Sequence, residues 1–339
     1  MLIKFDLQDE EIVKCLQEAY GLSVEEIVFL PLGDDLNTAV YRITTSCATN
    51  YFLKLRRGEF NEAAELVPKR LYELGFKQVI PPLATRTGQL WAGLGSFRTI
   101  LYPYVEGHNS IEVNLSEQQW IEFGATLRRF HSADIPSTMT NRVPRETFSI
   151  RWRETVKVFL EHIENEVFEE PVAAQMALFL KSKKVEILKL VTRAESLANL
   201  LQTQHLEYIL CHADIHGWNL LIGKEGALYM VDWDTLLFAP KERDLMFIGA
   251  GLGNSGRTPL EEETLFYQGY GQTNINLAAI AYYRYERIIE DIGVYCEQIF
   301  LSEEGGEDRI QLFECLQSHF LPNGTIERAC QSDKALTAI

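Results

Sequence analysis

The sequence has no cysteine pair at C-x-x-C spacing. Its cysteines stand alone at 15, 47, 211, 296, 315 and 330, a scatter that excludes a disulfide framework or a zinc ribbon and fits reduced thiols. Positive charge is also short: 32 basic residues face 48 acidic ones, a formal net charge of -16. A field of that sign repels nucleic-acid backbones and anionic membrane surfaces and would attract a cationic small molecule; the alternative, and the commoner case, is a surface that is acidic for solubility alone. The first residues, MLIKFDLQDEEIVKCL, lack the basic start, apolar core and small-residue cleavage site of a secretory leader. No stretch reaches the roughly 18 uninterrupted apolar residues of a membrane span. A soluble, cytoplasmic protein is expected, with no internal repeat and no low-complexity linker. What is present is core material: 339 residues at 46% hydrophobic content, enough for two domains or two lobes.

The order of elements follows from periodicity. Residues 9 to 20 carry Ile12, Val13, Leu16, Ala19 and Tyr20 at helical spacing, and the YGLS that follows stops that helix. EIVFLPL, TAVYRITT and NYFLKLRR are β-branched and aromatic runs parted by polar turns, the pattern of an antiparallel meander. A helix is expected over FNEAAELVPKRLYELG, with Asn61 as its cap, Pro68 inside it and Gly75 as its stop. LATRTGQLWAG and FRTILYPYV would add two strands. From about residue 115 long helical patterns take over, opened by a Ser116/Gln119 capping box. They are broken by short strands at 208–234 and resume through LAAIAYYRYERIIEDIGVYCEQIF.

The break holds CHADIHGWNLLI, residues 211–222. D-I-H-G also opens two-metal phosphoesterase sites, but such a centre needs several further ligands, and His319 is the only histidine after His216. The spacing H-x-D-x-x-x-x-N, met by His212, Asp214 and Asn219, is the phosphoryl-transfer loop in which the aspartate takes a hydroxyl proton and the asparagine holds a metal ion. NLLIGKEGALYMVDWD then reads as a hairpin. With Ile222 opposite Ala227 and Asn219 opposite Met230, Asp232 emerges beside Asn219, and two oxygen ligands are delivered together to a hard cation. Lys54, on a strand between Leu53 and Leu55, would leave the sheet on the face opposite theirs. Glu62 or Glu65 on the next helix could pair with it, and Glu62 suits the first turn better. His212 and His216 are expected to brace the loop. Asp234 and Asp244 are expected to be structural carboxylates, Asp244 capping the loop or pairing with Arg243.

With these residues in this order the chain resembles the aminoglycoside phosphotransferase family over nearly its whole length, most clearly in CHADIHGWNLLI, VDWD, APKERDLMFIG and YYRYERIIEDI. The resemblance implies an α+β, two-lobed protein-kinase-like fold. A small antiparallel sheet with one helix would make a nucleotide-binding lobe over 1–103, and a mainly helical catalytic and substrate-binding lobe would cover 104–339, with the hinge at 103–107. It implies ATP and Mg2+ as cofactors, Asp214 as base, Asn219 and Asp232 as metal ligands, and Lys54 on the phosphates. By the same resemblance Tyr102 lines the adenine pocket while the Pro103 carbonyl and Val105 amide meet the adenine edge; the alternative is an ordinary strand exit. The acceptor implied is an aminocyclitol such as spectinomycin. Rivals are a metabolite kinase acting on choline, homoserine or a methylthio-sugar, and a nucleotide-binding pseudokinase.

Two stretches depart from the pattern. PLGDDLNTAVY has one glycine and the carboxylates Asp34 and Asp35 where a phosphate-covering loop is expected, leaving its amides, Asn37 and Thr38 to meet phosphate. GLGNSG at 251–256 follows the core of the motif rather than opening a β-α-β unit, and reads as a loop. Tyr283, Glu286 and Glu290 share one helical face, with Arg287 and Asp291 beside it, and would line a cleft for protonated amines; the alternative is an amphipathic face turned to water.

Overall fold

Alternation of apolar and polar residues pairs the first hundred residues into a sheet. A computed structural model of the chain describes residues 4–33, 35, 37–58, 61–250, 256–302 and 306–337. Helix α1 (Asp9–Tyr20) begins with three acidic residues at its positive end and stops at Gly21, φ 74°. It precedes β1 (Val24–Leu30), β2 (Thr38–Thr45) and β3 (Asn50–Arg57), helix α2 (Ala63–Glu73), β4 (Ala92–Leu94) and β5 (Phe97–Pro103). The strands form one antiparallel sheet in the order β1-β2-β3-β5-β4. Leu53 and Leu55 of β3 pack with Ile12 and Leu16 of α1, so Lys54 and Arg56 leave by the other face. The strand expected from residue 83 shrinks to β4, because the chain turns at Gly88, φ 85°, whose N–H donates to the Thr85 carbonyl at 2.9 Å.

Helix α2 is capped where expected, the Asn61 side chain accepting the Ala63 N–H at 3.2 Å, and it runs on through Pro68. Its apolar stripe turns away from the sheet core. Ala63, Val67 and Leu71 pack with Trp120, Phe123 and Leu127 of the helical part, so one hydrophobic cluster spans both.

The remaining elements are β6 (Gly107–Asn109), α3 (Glu117–His131), α4 (Ser137–Thr140), α5 (Arg151–Asn165), α6 (Pro171–Gln202), β7 (Ile209–Cys211), β8 (Leu220–Gly223), β9 (Leu228–Met230), β10 (Leu237–Ala239), α7 (Glu242–Leu245), α8 (Pro259–Tyr270), α9 (Leu277–Phe300), α10 (Gly306–Ser318) and α11 (Thr325–Thr337). The architecture is the α+β one expected, a small antiparallel sheet beside a mainly helical part. The Ser116/Gln119 capping box opens α3, and α9 is the central buried helix, sharing a core with α5 and α6. Among the described residues no helix is long and apolar enough to cross a membrane.

The hairpin differs from expectation by one residue. Ile222 pairs with Leu228 and Leu220 with Met230. Gly226 at φ 81° adds a left-handed residue to the turn: its N–H donates to the Gly223 carbonyl and the Gly223 N–H to the Ala227 carbonyl, both at 2.8 Å. Asn219 therefore lies one step beyond the ladder, in a single 3-10 turn, its carbonyl accepting the Val231 N–H at 3.0 Å. Strand β6 completes this small sheet against β8, and a Cβ on Gly107 would stand 2.1 Å from the Ile222 carbonyl oxygen. The chain leaving β5 is thus stitched directly to the hairpin that carries the ligand end.

Candidate active site

The loop from β7 to β8 is held from behind by one carboxylate. Asp244, fully buried on α7, accepts the His212 N–H at 3.0 Å and the Ala213 N–H at 2.6 Å. Its Oδ2 also lies 2.8 Å from His131 Nε2, and His131 Nδ1 lies 2.8 Å from the Tyr270 hydroxyl. Burial pushes the Asp244 carboxyl up, but His131, His212 and the Ala213 N–H outweigh it and hold it below the usual range. Ala213 takes the left-handed conformation, φ 68°, which turns Asp214 out of the loop. His212 Nε2 donates to the Val231 carbonyl at 3.0 Å and Thr235 Oγ1 to the His212 carbonyl at 2.9 Å. The bracing expected of His212 and Asp244 is what these contacts supply.

His131, Asp244 and Cys211 place their donor atoms within 4.8 Å of one another. The histidine and carboxylate are spent on each other, and burial pushes the Cys211 thiol well above its usual range. The Cys211 Sγ lies 3.6 Å from the Ala239 carbonyl and 3.7 Å from that of Pro240, so the trio is a hydrogen-bonded core.

Asp214 is met on both oxygens. Arg287 Nη1 of α9 lies 2.5 Å from Oδ1 and His216 Nε2 lies 3.3 Å from Oδ2. His216 Nδ1 accepts the Trp218 N–H at 3.3 Å, which leaves the proton on Nε2, facing the carboxylate. Burial alone would raise the Asp214 carboxyl; Arg287 and His216 overcome it and hold the group far below the usual range. The Asn219 amide nitrogen donates to the Asp214 carbonyl at 2.8 Å, which commits the nitrogen and orients the amide oxygen as the remaining ligand atom. The contact of Arg287 with Asp214 was not anticipated from sequence, since the two lie 73 positions apart and only the packing of α9 brings them together.

Asp232 takes φ 60° at the far end of the hairpin. Its Oδ1 lies 3.1 Å from Lys54 Nζ, which also donates to Asp234 Oδ2 at 2.6 Å, and Arg56 Nη1 pairs with that same Asp234 oxygen. Burial lowers Lys54, but the Asp232 and Asp234 carboxylates outweigh it and keep the ammonium charged. Lys54 likewise holds the Asp232 carboxyl below the usual range. An all-oxygen donor pair from Asn219 and Asp232 beside a buried ammonium fits a hard divalent cation carrying phosphates.

The expected partner of Lys54 is corrected. Glu62 precedes the first turn of α2 and is exposed. Glu65, one turn inside, is 3% exposed, and burial together with the charge of Asp234 pushes it up to about 8 against the pull of Lys54 and Arg56. Its Oε2 is buried with no hydrogen-bond partner, while Lys54 is turned to Asp232 and Asp234.

Beside them Tyr102, half-buried on β5 opposite Phe52, has its hydroxyl pushed well up, by burial first. Pro103 ends β5 opposite Tyr51, and the Tyr104 N–H reaches the Asn50 carbonyl at 3.4 Å, so Val105 sits in the short span before β6. In the loop before β2, Asp35 accepts the Asn37 N–H and the Thr38 hydroxyl, both at 2.9 Å; its carboxylate is turned onto its own loop. Asp34 and residues 251–255 of GLGNSG lie outside the described residues.

The cleft expected from Tyr283, Glu286 and Glu290 is largely overturned. Tyr283 is 1% exposed and stacks on Phe148 in the core. Glu286 Oε2 faces the buried Arg153 Nε at 3.4 Å, and burial pushes its carboxyl up to about 7. Only Glu290, half-buried, keeps access to solvent. The reason is that α9 is central: the face that carries tyrosine and glutamate packs against α5, and the residue reaching Asp214 is the neighbouring Arg287.

Residues 28–283 match the phosphotransferase enzyme family. A solved structure of spectinomycin phosphotransferase in complex with ADP and spectinomycin superposes with a TM-score of 0.88 at 32% identity, over 97% of this chain and 99% of that one. The AMP-bound complex of spectinomycin phosphotransferase gives a TM-score of 0.83 at 33% identity, over 94% and 97%. A choline kinase from Streptococcus pneumoniae shares the fold, with a TM-score of 0.54 at 17% identity over 91% and 96%.

Proposed function

The chain belongs to the phosphotransferase enzyme family, and within it we propose an ATP-dependent O-phosphotransferase that passes the γ-phosphoryl group to a hydroxyl of a small cationic acceptor, an aminocyclitol such as spectinomycin. The observation that carries this reading is the convergence of Asp214, Asn219 and Asp232 from one loop and hairpin with Lys54 from the sheet. The choice of acceptor rests on the 32% identity to spectinomycin phosphotransferase over nearly the full length of both chains. In this reading residues 1–103 form the nucleotide lobe and 104–339 the acceptor lobe, with Tyr102, Pro103 and Val105 at the adenine.

Asp214, fixed on both sides, orients the acceptor hydroxyl and takes its proton as the new oxygen–phosphorus bond forms and the bond from the γ-phosphorus to the ADP oxygen breaks, ADP leaving. Lys54 is the phosphate-directed cation; when it leaves Asp234 for phosphate oxygens, Glu65 is the buried carboxylate placed to steady it. Asn219 and Asp232 are the residues that would hold Mg2+, which would supply positive charge to offset that of the phosphates. Asp244 and His131 keep the loop in register throughout.

The test is direct. Purified protein with Mg-ATP and spectinomycin should yield a product heavier by one phosphate. Asp214→Ala should lose roughly 10²-fold or more in turnover while still binding nucleotide, and Asp232→Ala should weaken Mg-ATP binding itself. Turnover of Asp214→Ala within a few-fold of the parent would sink the assignment of the base.

A further inference from the structure

The loop motif accounts for the base, but not for the guanidinium that holds it. Arg287 comes from α9, outside the loop and the hairpin, and places Nη1 2.5 Å from Asp214 Oδ1 while its Nε donates to Asp291 Oδ1 at 2.9 Å. Asp291 sits one helical turn further along α9. Its second oxygen lies 3.6 Å from Nε2 of the buried His319, whose Nδ1 is 2.6 Å from Thr325 Oγ1 at the start of α11. Burial pushes His319 below the usual histidine range. The guanidinium is thus held at two points, by Asp214 Oδ1 and by Asp291 Oδ1 one turn along its own helix.

We propose that Arg287 is a positioning residue for the reaction: anchored by Asp291, it fixes the Asp214 carboxylate and denies Oδ1 to the ammonium of a cationic acceptor, so that the base meets a hydroxyl. This rests on the O-phosphotransferase reading. Two physical points carry it. A carboxylate held by charge-assisted bonds on both oxygens keeps one orientation, and a misplacement of about 1 Å at a reacting centre costs on the order of 10²-fold in rate. A bare carboxylate in a cleft is also the strongest local attractor for a protonated amine, and an acceptor docked by its amine on the base is bound unproductively. Arg287 is 29% exposed and Asp214 19%, so the pair is within reach of solvent and of a solute.

The experiment compares wild type, Arg287→Met, Arg287→Lys and Asp291→Asn, with melting temperatures measured alongside. Initial rates are taken with Mg-ATP and spectinomycin, and with Mg-ATP alone, where water is the acceptor. Arg287→Met should lose about ten- to a hundred-fold in kcat, with the KM for Mg-ATP unchanged and the KM for spectinomycin unchanged or lower. Arg287→Lys should recover part of the loss, and Asp291→Asn should fall between it and wild type. If Arg287→Met does not fold, Arg287→Gln carries the same comparison. Wild-type kcat in the variant, or a loss matched by a rise in both KM values and a lowered Tm, overturns the proposal and leaves the O-phosphotransferase reading standing. Wild-type protein that transfers phosphate neither to spectinomycin nor to water overturns that reading, and the proposal with it.

Discussion

At the scale of single residues, the side of the site nearest the sheet is a contest between two cations and three carboxylates. Lys54 and Arg56 share Asp234, Lys54 also reaches Asp232, and Glu65 is left buried without a partner on one oxygen. Lys54→Met keeps the apolar stem between Leu53 and Leu55 but removes the charge. Phosphoryl transfer should fall by about 10²-fold or more while the circular dichroism spectrum stays that of the parent; loss of folded signal would instead make Lys54 a structural residue. Glu65 adds a pH dependence. Its ordinary value of 4.5 is raised to about 8 in the folded chain, so the folded state holds that proton more tightly than the unfolded state does. The stability Glu65 contributes is therefore full below the ordinary carboxylate range and is lost as pH rises through about 8. Nucleotide-free Glu65→Gln should gain in Tm relative to wild type between about pH 5 and 9. Parallel melting curves across that window would show that Glu65 is already ionised in the folded protein.

At the scale of elements, how much was legible in the sequence depends on how local the signal is. Strands β2 and β3 and the α3 capping box coincide with the stretches read from sequence because alternation and capping are written in neighbouring residues. The hairpin register slipped by one because Gly226 could be read as an ordinary turn residue, and its left-handed φ of 81° is what adds a residue. The sequence does not show which turn of α2 faces Lys54, and so points to Glu62 where the buried carboxyl group is that of Glu65. Periodicity groups Tyr283 and Glu286 on one face without saying what covers it, and α5 does, with Arg153. Helix contacts of this kind are sharpest between α3 and α8. A Cβ on Gly124 would stand 2.1 Å from the Phe266 carbonyl oxygen, and one on Gly269 1.8 Å from that of Ile121. Gly124→Ala must push the two backbones apart, at a cost of about 1–3 kcal/mol or more. A lowered midpoint of denaturant unfolding is expected, whereas Gly93→Ala, with nothing within 4 Å, should leave it unchanged. Equal midpoints for the two variants would mean that the helices slide past the added methyl freely.

At the scale of the whole molecule, charge separates the two ligands. The net charge of -16 acts at long range on whatever approaches, whereas the local cations Lys54 and Arg56 are already offset by Asp232 and Asp234. An acceptor bearing protonated amines is drawn toward such a surface and Mg-ATP, with its residual negative charge, is held off. Added salt shortens the reach of that field to about 8 Å at 0.15 M and about 3 Å at 1 M, so it should weaken the attraction for one substrate and relax the repulsion of the other. The ratio of the KM for spectinomycin to the KM for Mg-ATP is therefore expected to rise by several-fold between about 0.02 M and 0.5 M salt, with kcat nearly constant because the reacting groups sit within a few ångströms of one another. Steady-state kinetics at four or five salt concentrations would measure it. A ratio that stays flat, with both KM values moving together, would mean that the acidic surface keeps the protein soluble and has no part in gathering the acceptor.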